Sequence, residues 1–240
     1  MKPRFISDIH LSDKHPELTQ AFYTFLKESK EACTHLFILG DLFEAWIGDD
    51  DSTPLIQEIK SALREFTTNG PETFFIHGNR DFLIGQTFAE ETGITILPDP
   101  YSLVINEQKI VISHGDFLCT DDVDYITFRN QVRTQEWQSD FLQKPLSERE
   151  AIAASMRDAS QEATAEKSNT ITDVNLDAVN SFIDEHKPDF FIHGHTHRPD
   201  IHNLDLAKRI VLGDWGDSGW YFWLDEKIYR LEQFPIRNII

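Results

Sequence analysis

The sequence of 240 residues contains no long hydrophobic run. Its longest uninterrupted apolar stretch is the five residues Trp220 to Leu224, against the roughly 20 that a membrane-spanning helix requires. Basic residues are also scarce: 22 Lys+Arg face 41 Asp+Glu, for a net charge of −19. That balance excludes the basic face by which proteins neutralise nucleic-acid phosphates, so no nucleic-acid partner is expected. An anionic substrate would need locally supplied positive charge, such as metal ions. Cysteine is nearly missing. Cys33 and Cys119 stand far apart with no metal-like spacing, and they read as small buried side chains rather than as a disulfide or a nucleophile. The opening residues Met1 to Asp8 reach a carboxylate before any signal-like apolar stretch develops, which points to a cytoplasmic protein. There is no internal repeat or low-complexity tract, and the length suits a single domain, 1–240, with one sizeable core.

What the sequence does contain is a series of short apolar runs ending in polar clusters: Phe5 to Ile9, Leu36 to Leu39, Thr73 to Ile76, Lys109 to Ile112 and Asp189 to Ile192. These predict buried strands. Helical patterns lie between the early ones, at Glu17 to Lys30 and at Pro54 to Phe66, the second preceded by Ser52-Thr53 as a cap. Alternating strand and helix implies a layered α/β fold. Strands with short connections follow from Ile94 and return at Lys208 to Leu212, Trp220 to Leu224 and Ile228 to Phe234. Two sheets sandwiched between helices would accommodate both habits. The stretch from about 121 to 170 differs, with apolar residues at helical spacing (Tyr125, Phe128, Val132, then Trp137, Phe141) and six basic against ten acidic side chains. It predicts a helical insertion that is not a basic membrane-binding arm.

Five polar clusters sit at or just after the predicted strand ends: Asp8-Ile9-His10, Gly40-Asp41, Gly78-Asn79-Arg80-Asp81, His114-Gly115-Asp116 and Gly194-His195-Thr196-His197. In an open α/β sheet the loops at the carboxyl ends of strands converge on one crevice, so distant residues can share a site. Within Asp8-Ile9-His10, strand-like alternation would point both polar side chains one way and Ile9 into the core; His195 and His197 repeat the device. The groups Asp8, His10, Asp41, Asn79, His114, His195 and His197 supply four imidazoles, two carboxylates and one amide oxygen, without a thiolate. That donor set suits two divalent ions of the Mn²⁺, Fe²⁺ or Zn²⁺ kind. Seven ligands for two ions imply a shared one, and Asp41 is the natural bridge. His15, His35, His186 and His202 read as surface groups, while His77 and His193 read as core or supporting residues.

This ordered set of motifs resembles the calcineurin-like metallophosphoesterases. The resemblance implies a four-layer αββα sandwich, with one metal held by Asp8, His10, Asp41 and His197 and the other by Asp41, Asn79, His114 and His195. Most members have His after the Asn of the third motif, where this chain has Arg80. That departure, with Ile76 to Leu83 and Asp41-Leu42-Phe43-Glu44-Ala45-Trp46-Ile47-Gly48-Asp49-Asp50, is similar to one branch, the UDP-2,3-diacylglucosamine hydrolases of lipid A biosynthesis. The branch implies Mn²⁺-dependent cleavage of a pyrophosphate by a metal-bridging hydroxide at the α-phosphorus. The products are UMP and 2,3-diacylglucosamine 1-phosphate (lipid X). It further implies a peripheral protein on the cytoplasmic side of the bacterial inner membrane. A sugar-phosphate leaving group needs little protonation, and a fixed guanidinium at Arg80 neutralises phosphate charge; with His195 it would offset charge in the transition state.

In the insertion, Arg157, Ser160, Thr164 and Lys167 are spaced to share one helical stripe. On pattern alone this is either a solvated face or a polar substrate face. The resemblance favours the second, implying substrate contacts at Asp122, Ser160, Thr164 and Lys167 together with Asn79, Arg80 and His195. Trp46, Tyr125, Phe128 and Phe141 fit either a packed core or an acyl channel, since both need apolar area. The rival functions are another dinuclear phosphodiesterase, nuclease or protein phosphatase of the same fold, which should favour His where Arg80 stands, and a non-catalytic scaffold, which should have lost ligands.

Overall fold

The computed structural model describes residues 1–166, 172–226 and 228–236, the side chains of 158–166 excepted. The first part alternates strand and helix: β1 (Pro3–Ile6), α1 (Pro16–Ala32), β2 (His35–Leu39), α2 (Pro54–Thr67), β3 (Glu72–Ile76), α3 (Gln86–Thr92) and β4 (Thr95–Ile96). A hairpin of β5 (Tyr101–Ile105) and β6 (Gln108–Ile112) leads into α4 (Val123–Val132), α5 (Gln135–Leu142), α6 (Leu146–Glu166) and α7 (Leu176–His186). The remaining strands are β7 (Phe190–His193), β8 (Asp200–Asn203), β9 (Lys208–Val211), β10 (Ser218–Asp225) and β11 (Ile228–Pro235).

Two sheets result. The first has the order β11-β10-β1-β2-β3-β4, with β1 to β4 parallel and the last two strands of the chain antiparallel beside β1. The second has the order β5-β6-β7-β9-β8, with a parallel centre and antiparallel edges. Neighbouring residues on the central strands leave on opposite faces. Phe5, Phe37 and Ile76 join Ile112, Phe190 and Ile192 between the sheets. Ile6, Ile38 and Phe75 pack outward against Phe22, Ile59 and Phe88 of α1, α2 and α3, and Val111 and Phe191 pack against Val179, Phe182 and Ile183 of α7. The order is therefore helix, sheet, sheet, helix, the expected four-layer αββα sandwich. The single core expected from length gives way to three apolar clusters, because each sheet is covered on both faces and itself divides the interior. Each fully buried Phe, Ile or Leu contributes about 1.5–3 kcal/mol.

Some boundaries differ from the sequence reading. The first apolar run ends as a strand at Ile6, not Ile9, because Asp8 and His10 take φ of +54° and +55° and turn the chain out of the sheet. Thr53 occupies the N-cap position of α2 but makes no side-chain cap bond. α3 was not legible: seven residues between Gly85 and Gly93 are too short to establish a period. Of the four histidines read as surface groups only His15 is exposed; His35 opens β2, His202 lies in β8 and His186 ends α7, all half-buried. Three helices, α4 to α6, fill the segment expected to be helical, with α4 capped by Asp122 and α5 by Thr134.

Candidate active site

Every expected ligand follows a strand end: Asp8 and His10 after β1, Asp41 after β2, Asn79 after β3, His114 after β6, and His195 and His197 after β7. The first three strands belong to one sheet and the last two to the other, so the cluster lies where both sheets present their carboxyl ends. The device that aims these side chains is not strand alternation. Asp8, His10, Asp41, His195 and His197 all have φ between +53° and +69°, a left-handed conformation that non-glycine residues adopt sparingly and at a cost of about 1–3 kcal/mol each.

Backbone bonds hold the turns in place. The Asp8 N–H donates to the Gly40 carbonyl (3.1 Å), those of Ile9 and His10 to Asp41 (2.9 and 3.0 Å), and that of Leu11 to Leu42 (2.9 Å). The glycines of two motifs are explained by close approach. A Cβ on Gly40, whose φ is +84°, would lie 2.5 Å from the Gly78 backbone, and one on Gly78 would collide with the Asp41 carboxylate. Asp81, the last residue of its motif, is fully buried and accepts from the N–H groups of Leu42 (2.7 Å), Gly78 (2.9 Å) and Asp41 (3.2 Å), binding the loops after β2 and β3 together. Burial and the neighbouring Asp41 push its carboxyl up to about 7.

The donor atoms form two groups. In one, His197 Nε2 lies 3.3 Å from Asp8 Oδ1 and 3.4 Å from His10 Nε2. In the other, Asn79 Oδ1 lies 2.8 Å from His114 Nε2 and 2.9 Å from His195 Nδ1. Asp41 faces both, with Oδ2 3.9 Å from His10 Nε2 and Oδ1 3.9 Å from His114 Nε2. Ligands about 2.1 Å from an ion stand about 3–3.4 Å apart at octahedral or tetrahedral angles, so the shorter spacings are those of neighbouring ligands. Asp8 Oδ1 is buried without a hydrogen-bond donor, an acceptor left for a cation. Protonation follows the same logic. Burial opposes charge on His114, yet Asp41, Asp8 and Asp116 outweigh it and raise its pKa to about 9; His197 is likewise raised to about 9, against burial, by Asp8, Asp214 and Asp41. The carboxylates that raise these two imidazoles are the ones that a divalent cation would satisfy.

Several supporting residues escaped the sequence reading. The His114 Nδ1–H donates to the Leu39 carbonyl (2.9 Å), which turns Nε2 toward Asn79. Glu44 stands 3.1 Å from His10 Nδ1 and Asp214 stands 3.6 Å from His197 Nδ1, outer carboxylates that orient imidazole ligands. The buried Asp116 accepts from the Tyr125 hydroxyl (2.8 Å) and Arg129 Nε (2.7 Å). Glu44 and Asp116 stood inside quoted motifs; Asp214 had no signal beyond following β9. Both cysteines are buried, and burial pushes their thiols up to about 11 and about 12, which leaves neither a nucleophile at neutral pH.

Beside the cluster opens a cavity of about 320 Å³. Asn79, Arg80, Glu44, Asp122 and Arg157 line it together with Trp46, Tyr125, Phe128, Phe141, Phe82 and Trp137. All four aromatic residues expected in a channel are there, and three serve a second purpose. Tyr125 turns its hydroxyl into the Asp116 pair while its ring stacks on His195 at 5.6 Å, and Trp46 and Phe141 belong to the outer cluster of the first sheet. Arg80 donates its backbone N–H to Asp41 Oδ1 (2.8 Å). Of the expected polar stripe, Arg157 reaches the cavity; the side chains of Ser160 and Thr164, and all of Lys167, lie outside the described residues.

The sequence profile of the calcineurin-like phosphoesterases matches residues 1–199. The chain belongs to that family. This phosphoesterase is 46% identical over 239 residues to the UDP-2,3-diacylglucosamine hydrolase of Enterobacter sp. (strain 638), covering 98% of this chain and 100% of the relative. It is 43% identical over 242 residues to the protein of that name from Azotobacter vinelandii, covering 98% and 100%. Among solved structures it shares the fold of Vps29 from Entamoeba histolytica, crystallised with Zn²⁺, at a TM-score of 0.50 and 13% identity over 99% of this chain and 100% of that one. The family works with divalent metal ions, and the two donor groups described above suit them.

Proposed function

We propose that this phosphoesterase hydrolyses the pyrophosphate bond of UDP-2,3-diacylglucosamine, giving UMP and 2,3-diacylglucosamine 1-phosphate in lipid A biosynthesis. The observation that carries the reading is one cavity whose lining combines Asn79 and Arg80 with Trp46, Phe128, Trp137 and Phe141. A diphosphate and a pair of acyl chains need those two linings side by side. A generic phosphodiesterase has no use for the second.

Asp8, His10, Asp41 and His197 would hold one divalent ion, and Asp41, Asn79, His114 and His195 the other; Mn²⁺ suits this thiolate-free set of imidazole, carboxylate and amide donors. When bound, such ions polarise phosphate oxygens and make a water more acidic. The protein's own residues orient the reaction. The Arg80 guanidinium neutralises diphosphate charge while its backbone N–H fixes Asp41. Asn79 and His195 flank the phosphate position, and Asp122, Arg157, Ser160, Thr164 and Lys167 contact the nucleotide and sugar. Trp46, Tyr125, Phe128 and Phe141 exclude water and receive the acyl chains. A water oxygen bonds to the α-phosphorus, the bond from that phosphorus to the bridging oxygen breaks, and the sugar phosphate leaves with the bonding electrons. No side-chain nucleophile takes part. The substrate is a glycolipid, so the enzyme works as a peripheral protein on the cytoplasmic side of the bacterial inner membrane. Among the described residues no helix is long and apolar enough to cross a membrane, while Val123, Phe128, Leu142 and Leu146 expose apolar surface on the insertion.

The test is hydrolysis of UDP-2,3-diacylglucosamine in ¹⁸O water with Mn²⁺, beside a simple aryl phosphodiester. The label is expected in UMP, with the aryl ester a poor substrate. Label in the lipid phosphate would reject attack at the α-phosphorus, and equal turnover of both substrates would reject the glycolipid assignment.

A further inference from the structure

Gly48-Asp49-Asp50 belongs to the motif that distinguishes this branch of the family, yet the chemistry above leaves it without a task. The structure supplies one. Asp49 fastens the wall of the cavity on the side of the main fold: Oδ1 accepts from Trp46 Nε1 (3.2 Å) and the Gly85 N–H (2.9 Å), and Oδ2 accepts from the Phe88 N–H (2.9 Å). Asp50 reaches across to the insertion. Its two oxygens receive Arg149 Nη1 (2.8 Å) and Nη2 (2.5 Å) in a bidentate pair, while Nη1 also donates to the Ile47 carbonyl (2.6 Å) and Nε to that of Lys144 (2.9 Å). Arg149 is only 3% exposed. Gly48 makes room: its φ is +138°, and a Cβ there would run into the guanidinium and, at 3.1 Å, Leu142.

Arg149 lies one helical turn before Ala153 and two before Met156 and Arg157, all of which line the cavity, and the fork meets the chain at Ile47, next to the lining residue Trp46, and at Asp50, four residues beyond it. The pair therefore joins the two apolar walls directly. It touches none of the donor atoms of the metal cluster.

We propose that Asp50 and Arg149 are a positioning pair that fixes the separation of the cavity's two walls and thereby selects substrates carrying acyl chains. The proposal rests on the glycolipid reading above. A guanidinium fork holds both distance and angle, which a single ammonium contact does not. Loosening it lets the first turns of α6, which carry Arg149 and the lining residue Ala153, part from the Trp46 loop, so the apolar lining loses its fit, while Asn79 and Arg80, on the loop after β3 where the Arg80 carbonyl accepts the Trp46 N–H (3.0 Å), keep their geometry.

The experiment compares wild type, Asp50→Asn and Arg149→Lys on UDP-2,3-diacylglucosamine and on UDP-glucosamine without acyl chains. Asp50 presents a 59% exposed side chain, so its amide variant is expected to melt cooperatively. KM for the acylated substrate should rise about 10-fold in both variants, with kcat, and the efficiency on the unacylated compound, within about twofold of wild type. An equal loss on both substrates, an unchanged KM in a folded variant, or an Asp50→Asn chain that cannot fold would each assign the pair to stability alone and overturn the proposal. A wild-type enzyme indifferent to acyl chains would instead reject the glycolipid reading itself.

Discussion

Asp41 gives one carboxylate oxygen to each half of the donor cluster, and its backbone is left-handed, with φ +53°. Glycine accepts that conformation without strain, so Asp41→Gly removes the carboxylate proposed as the shared ligand without a backbone penalty. Metal analysis of the purified variant should find neither ion retained, with activity reduced roughly 100-fold or more, whereas His10→Gly should keep the ion on the Asn79 side. A folded Asp41→Gly protein that still holds two ions would end the idea of sharing. That these side chains gather at one place was legible in the sequence because each follows an apolar run. Glu44, Asp81 and Asp214 were not assigned, because their part depends on which loop folds against which: Asp81 acts on amides of another loop, and Asp214 meets His197 only through the turn after β9. The left-handed turns were invisible as well, since Asp and His at those positions obey no local preference strong enough to announce them.

At the scale of elements, Asp122 has two tasks on one residue. Its side chain caps α4 by accepting the Tyr125 N–H at 3.1 Å, and it faces the cavity. Substitutions can separate these. Asp122→Ala loses the cap and should lower unfolding free energy by about 1 kcal/mol, read from the denaturant midpoint at constant slope. Asp122→Asn keeps a good cap and should keep that stability, so any fall in its kcat/KM reports contact with substrate. If the two variants match in both measurements, the division is wrong. The insertion's helical character was legible from spacing, but its breaks at Arg133-Thr134 and Gln143 to Pro145 were not, because the apolar period runs on across them. Cap geometry decides the breaks, with Thr134 accepting the Trp137 N–H.

At the scale of the whole molecule, the charge of −19 governs encounters with surfaces. A peripheral enzyme of this charge must approach lipid by apolar contact, because anionic headgroups repel it. Flotation with vesicles should give weaker association as phosphatidylglycerol replaces zwitterionic lipid, and partial recovery in salt, which screens the repulsion. Association strengthened by anionic lipid would point instead to a local basic patch. The layered architecture was legible from the alternation of runs, whereas the return of the chain to its first sheet was not, since nothing in Trp220 to Leu224 says which edge it joins. That return orders events during synthesis. β1 pairs on one side with β2 and on the other with β10, which spans Ser218–Asp225. A growing chain that has already emitted His197 carries every donor of the cluster, yet the β1 edge of its first sheet stays open to any passing strand until the ribosome has delivered Phe222 and Trp223, the residues that pair with Phe5 and Arg4.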